Sequence, residues 1–154
     1  MHGIFLLITS DAEKIDGTTA PSFEIAKLRL DQKYWPLHER TRNRKIMKTG
    51  DEILIYCGGQ SQGAKSIIAR AEIDSIKKVS IRDSLPEEDL YVTGNAYETI
   101  YLRNILFINP VIKFREVLES LSICPKNMDK WGVILHGGAR RISADDYAII
   151  MQHA

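Results

Sequence analysis

Three observations predict an α+β domain. Apolar runs of strand length recur along the chain, from the first ten residues to the last thirty. Helical stretches are few and carry recognisable start and stop signals. No repeat, low-complexity tract or linker divides the 154 residues, a length at which one domain buries a full core. Hydrophobic content of 44% and charged content of 27% are ordinary for a globular protein.

The elements follow in order. Gly3 to Thr9 is an apolar run bounded by Ser10-Asp11 and reads as a buried strand. Residues 10–19 are polar and form a loop. Ser22 is placed to cap a helix over residues 21–32, which Tyr34-Trp35-Pro36 ends. Thr41 to Met47 reads as a short helical turn, closed by Thr49-Gly50-Asp51. Strands are expected at 52–58 and 66–74, joined as a hairpin by a glycine loop from Gly58 to Gly63. Residues 80–97 form a long polar loop holding Tyr91 and, at its edge, Tyr97.

A further strand is expected at 99–108. Asn109-Pro110 reads as the start of a helix over 110–121, whose stripe is Val111, Phe114, Val117 or Leu118, and Leu121. Residues 132–136 read as a short strand. Ser143 to Asp146 opens a last helix over 144–152 as a capping box.

Net charge is +1, so no global basic field exists, and contact with nucleic acid requires a local patch. Arg40, Arg42, Arg44, Lys45 and Lys48 supply one, with no acid among them. The first apolar run is too short for a signal peptide or a membrane span, and acids follow it at once. A cytoplasmic location is the resulting expectation.

Several motifs fail as chemistry. Gly58 to Ser66 nearly spells a phosphate-binding P-loop, but Ala64 breaks its register and a β-rich segment follows where a helix is required. Cys57 with His38 or His136 has no local support as a nucleophile–base pair, and Cys57 in an apolar strand reads as core. The four histidines lack metal-ligand spacing, and the two cysteines match no metal or redox motif. No catalytic centre, metal or cofactor is therefore expected. A binding site is expected, built from Trp35, the basic turn and the glycine loop, with Gly59, Gln60 and Ser61 beside a phosphate. This combination suits a flat anionic ligand such as a nucleotide. The competing reading places Trp35 in the core and the charges on a solvated face.

Trp35-Pro36-Leu37, Thr41, Arg44, Gly50-Asp51, Tyr56, the strand ending Ala71-Glu72-Ile73, and the tail from Trp131 to Tyr147 together resemble the EVE domain. That family belongs to the PUA-like superfamily with the YTH and ASCH domains. The resemblance covers nearly the whole chain. It implies a mixed β-barrel of five to six strands flanked by helices, occupying residues 1–154 as one domain. It also implies non-enzymatic binding of DNA or RNA through a pocket for one flipped, modified base. Carried over by position, Trp35 forms an aromatic wall, and Thr9, Ser10 and Asp11 meet the base edge. Asn43 and Arg44 sit at the mouth. Relatives often place a second aromatic in the loop before the long late strand, where this chain offers Tyr91 or Tyr97. Two alternatives stay open. One is an ASCH-like hydrolase of a modified nucleoside using Asp11, Lys65 or Cys57, and the other is a protein-interaction module.

Overall fold

The computed structural model describes residues 2–80, 84–88, 90–91 and 96–154. Part of the expected 80–97 loop thus lies outside the described residues. Eight strands and three helices occur among them. They are β1 (Ile4–Thr9), β2 (Ala12–Glu13), β3 (Thr19–Ala20), α1 (Ser22–Asp31), β4 (Tyr34–Leu37), β5 (Glu52–Cys57), β6 (Ser66–Lys78), β7 (Glu98–Lys113), α2 (Phe114–Leu118), β8 (Ala139–Arg141) and α3 (Ala144–Met151). Two 3-10 segments, Arg44–Ile46 and Met128–Leu135, complete the set.

Six strands form one curled sheet in the order β4-β7-β6-β5-β1-β8, and β2 pairs separately with β3. The β1–β5 pair is parallel, whereas β1–β8, β4–β7, β5–β6 and β6–β7 are antiparallel. Register shifts along β6 and β7, between Ile67 and Ala69, Arg70 and Glu72, and Ile73 and Ser75, bend the ladder. Such bulges add local twist and turn an open sheet into a half-barrel.

β1 and β5 are apolar at nearly every position because both of their faces are covered. Phe5, Leu7, Ile53, Ile55 and Cys57 enter one core with Ala26, Leu30 and Trp35. Leu6, Leu54 and Tyr56 point the other way, into a core with Phe114, Val117, Leu118, Leu135 and Ile150. The alternation follows from the period of two along a strand. Gly50-Asp51 makes the expected turn. Asp51 is fully buried, and its carboxylate accepts the N–H groups of Gly3 and Lys48 at 2.8 and 2.9 Å.

Four expectations are corrected. Tyr34–Leu37 is a strand on β7 rather than a simple break, because its backbone pairs with Glu98–Tyr101. Pro110 lies inside β7, which continues to Lys113, paired with Ser66, before α2 begins. A proline is tolerated there because β7 has β6 on one side only at that point. The stripe Phe114, Val117, Leu118 and Leu121 is buried as expected, while Val111 is exposed. Residues 132–136 are no strand. Met128–Leu135 forms two short 3-10 turns kinked at Lys130, started by the Asn127 side chain, which accepts the Asp129 N–H. The pairing strand is β8, just after the Gly137-Gly138 turn. Finally, Ser22 does not cap α1. Its hydroxyl donates to the Gly58 carbonyl at 2.6 Å and ties the helix start to the glycine loop.

Candidate functional site

A cleft of about 390 Å³ opens where the end of β1, the glycine loop and the 128–135 segment meet. Ile8, Ser10, Gly58, Gly59, Gln60 and Lys65 line one side, and Asp129, Trp131, Gly132 and His136 the other. The buried side chains of Tyr56 and Leu135 complete its base. The volume falls within the range of small-ligand sites.

The glycine loop is held in shape by Asp11. Its carboxylate accepts the N–H groups of Ser22, Gln60 and Ser61 at 2.8, 3.0 and 3.2 Å. Partial burial pushes the Asp11 carboxyl up, but the hydrogen bonds from Gln60, Ser22 and Ser61 outweigh it and hold it below the usual carboxylate range. Gly59 has φ +86, and a Cβ there would sit 2.5 Å from the Asp11 carboxyl carbon. Glycine is therefore required twice over, for its backbone region and for the close approach. The loop leads into a strand and not into a helix, so it is the expected hairpin.

Trp131 is half-buried. Its ring centroid lies 6.0 Å from that of Phe114, which meets Tyr56 edge-on at 5.3 Å. Trp131 thus packs on Phe114 at a tilt and also lines the cleft. Next to this cleft, and sharing His136 with it, is a second one of about 270 Å³ lined by Arg42, Asn43, Ile134, Ala139, Arg140 and Arg141. The backbone fixes its position: the Arg42 N–H donates to the Gly137 carbonyl at 2.9 Å, and the Ile8 N–H to the Gly138 carbonyl at 2.9 Å. The Arg140 guanidinium donates to the Ile134 carbonyl at 3.2 Å. Among the described residues, Arg42 and Arg141 are in no ion pair, so their charges are available to an anion. A depression of similar volume on β5, β6 and β7, lined by Glu52, Arg70, Glu72 and Asn104, has no aromatic side chain.

The structure brings together only part of the residues singled out from the sequence. Ser10, Gly59 and Gln60 line the main cleft, and Arg42 and Asn43 the adjoining one. Asp11 and the Ser61 N–H are occupied with each other. Thr9 is buried. Arg40 and Lys45 are exposed. Trp35 is not an open wall: it is 2% exposed, inside the core, with the Arg29 guanidinium 4.8 Å from its ring centroid. Apolar neighbours from α1, β5 and β7 enclose it once β4 joins the sheet. Arg44 is no free cation either. It pairs with Glu98 at 2.6 Å and lies over the Tyr97 ring at 4.4 Å. Tyr91 is buried against Ala20 and Ile25 and lines a separate pocket with Lys14 and Glu24. Cys57 is fully buried, and burial pushes its thiol up to about 12, which removes it as a nucleophile.

Lys65, named from the sequence only for the hydrolase alternative, lines the cleft, whereas sequence reasoning missed Asp129, Trp131 and His136 as cleft residues. The available signal was Asn127 followed by Asp129 and Trp131-Gly132: a capping residue, then a large aromatic beside glycine, ahead of an apolar run too short for a helix or a secure strand. Among the described residues no group of histidine, cysteine and carboxylate side chains is arranged to hold a metal, and no helix is long and apolar enough to cross a membrane.

No protein-family model matches the chain, and comparison with curated protein sequences gives no match. Solved structures do match. The N-terminal domain of McrB from Staphylothermus marinus aligns over 100% of this chain and 96% of that one, at TM-score 0.63 and 12% identity. Human THYN1, solved in complex with DNA containing 5-methylcytosine, aligns over 97% and 96%, at TM-score 0.62 and 15% identity. A protein from Agrobacterium tumefaciens aligns over 99% and 93%, at TM-score 0.56 and 13% identity. At these identities the likeness concerns architecture, and it agrees with the topology: the chain has an α+β fold of PUA-like type, a curled six-stranded half-barrel flanked by short helices.

Proposed function

We propose that this chain is a non-enzymatic nucleic-acid-binding domain of the EVE type that takes a single modified base into the cleft beside Trp131. The observation that carries the reading is the adjacency of two unlike surfaces. A cleft of nucleobase scale with an indole in its wall shares His136 with a cleft rimmed by Arg42, Arg140 and Arg141. A base needs a π-surface to stack on, and the strand it leaves needs cations for its phosphates. The fold's likeness to THYN1, solved with DNA containing 5-methylcytosine, supports the same reading.

The energetics are consistent with it. Extruding a base costs a few kcal/mol, less where pairing is already weak. Stacking on an aromatic returns about 1–3 kcal/mol, and enclosing one methyl group adds roughly 0.8 kcal/mol. The arginines hold the backbone without reading sequence. The deciding experiment is a binding screen against single- and double-stranded DNA and RNA oligonucleotides, each carrying one modified base. The expected result is selective retention of modified strands with no chemical change in them. Turnover of a modified nucleoside would establish the hydrolase alternative. Absence of binding to every oligonucleotide would leave the protein-interaction alternative.

A further inference from the structure

Within the base-binding reading, on which this inference rests, the cleft contains a group that distinguishes one class of base from another. Asp129 is the one carboxylate among the described residues that line it. The nearby Asp11 is spent on three backbone N–H groups. Among the described residues, the Asp129 carboxylate accepts no hydrogen bond and joins no ion pair. Its backbone is nevertheless fixed, because the Asp129 N–H donates to the Asn127 side chain at 3.0 Å. The acid is thus held at the cleft by the same turn that presents Trp131.

We infer that Asp129 makes the cleft select bases bearing an exocyclic amine, cytosine-like or adenine-like, over their keto counterparts. An ionised carboxylate only accepts hydrogen bonds. Once a base fills the cleft and displaces water, an unmatched carboxylate incurs a desolvation penalty. The exocyclic N–H₂ of cytosine or adenine supplies the donor it lacks, a pairing of the kind by which acidic side chains read cytosine. A carbonyl at the same ring position sets acceptor against acceptor. Lys65, Gln60 and His136, which line the same cleft, offer donors for the acceptors on the rest of the base edge. The carboxylate also disfavours a phosphate inside the cleft itself and leaves that group to Arg42, Arg140 and Arg141.

The test uses matched pairs of single-stranded oligonucleotides that differ at one base. One pair compares 5-methylcytosine with thymine, which share shape and methyl group and differ in having an amine or a carbonyl at C4 and an acceptor or an N–H at N3. The other compares adenine with hypoxanthine. For the pair that the cleft accepts, the amine member should bind about tenfold tighter or more. Asp129→Asn replaces the carboxylate by a group that both donates and accepts, so it should bring the ratio close to one without moving the melting temperature. Equal or tighter binding of the keto member overturns the inference, as does an unchanged ratio in Asp129→Asn. If the strands bind but no base at that position alters affinity, the base-binding reading fails and this inference fails with it.

Discussion

The guanidinium of Arg29 lies over the indole of Trp35, 4.8 Å from its centroid, and forks onto the buried Glu87 carboxylate at 2.8 and 2.7 Å. Tyr34 donates its hydroxyl to the same carboxylate at 3.1 Å. Burial and the Glu87 charge push the Tyr34 phenol well above its ordinary range, so it stays a donor. This arrangement closes the face of Trp35 that a stacked base would need. Trp35→Ala should lower stability by about 3–5 kcal/mol while the folded protein keeps its oligonucleotide affinity. Thermal melting and a binding titration on one variant check both parts.

Glu87→Gln tests the same network from its other end. Removing one partner of a buried ion pair leaves the other charge uncompensated, at a cost of about 3–5 kcal/mol. The amide retains part of the hydrogen bonding, so the loss measured by chemical denaturation should fall at or below the low end of that range.

The Asp11 buckle makes a pH-dependent prediction. Its carboxyl is depressed in the folded protein, so the stability it contributes is present above the ordinary carboxylate range and is lost as pH falls through its folded value. Asp11→Ala leaves three N–H groups without their acceptor and should cost about 1–3 kcal/mol at neutral pH. The difference from the native protein should shrink in acid, as followed by melting from pH 7 downward.

Glu52 shows the opposite sign. Burial, and the Glu72 carboxylate directly across the β5–β6 ladder, raise its carboxyl above the ordinary value. Stability linked to this group is greatest below its unfolded value and declines as pH rises through the folded one. Glu52→Gln should therefore raise the melting temperature at neutral pH and have little effect in acid.

The rim divides the arginines. Arg42→Ala combined with Arg141→Ala should weaken binding to all sequences alike and reduce the salt slope by about 1–2. Arg44→Ala should leave the slope unchanged and lower stability, because Arg44 is already paired with Glu98. Affinity measured across a series of salt concentrations separates the two outcomes.

The fold was legible where pattern and punctuation agreed. β1, β5 and the hairpin to β6 follow from apolar runs and a glycine loop, and α3 from its capping box, in which Ser143 accepts the Asp146 N–H at 3.1 Å. Long-range pairing was not legible. Tyr34–Leu37 becomes a strand only because Glu98–Tyr101 comes alongside it. That pairing draws Trp35 into the core and away from the cleft. The candidate clefts were legible in part: Ser10, Gly59, Gln60 and Arg42, singled out from the sequence, line them, because glycines and arginines mark local backbone and charge. Its aromatic side was hidden. Trp131 lies 96 positions after Trp35 in the sequence and comes beside the glycine loop through tertiary packing that includes Phe114 and Tyr56.

The most direct test is therefore a titration of Trp131→Leu with paired oligonucleotides, modified and unmodified, alongside its melting curve. Leucine keeps an apolar contact with Phe114 and removes the indole. The account predicts that affinity for the modified strand falls by an amount equivalent to about 1–3 kcal/mol, down to the level of the unmodified strand, with backbone binding through the arginines retained. An unchanged preference for the modified strand in a folded Trp131→Leu protein would contradict it.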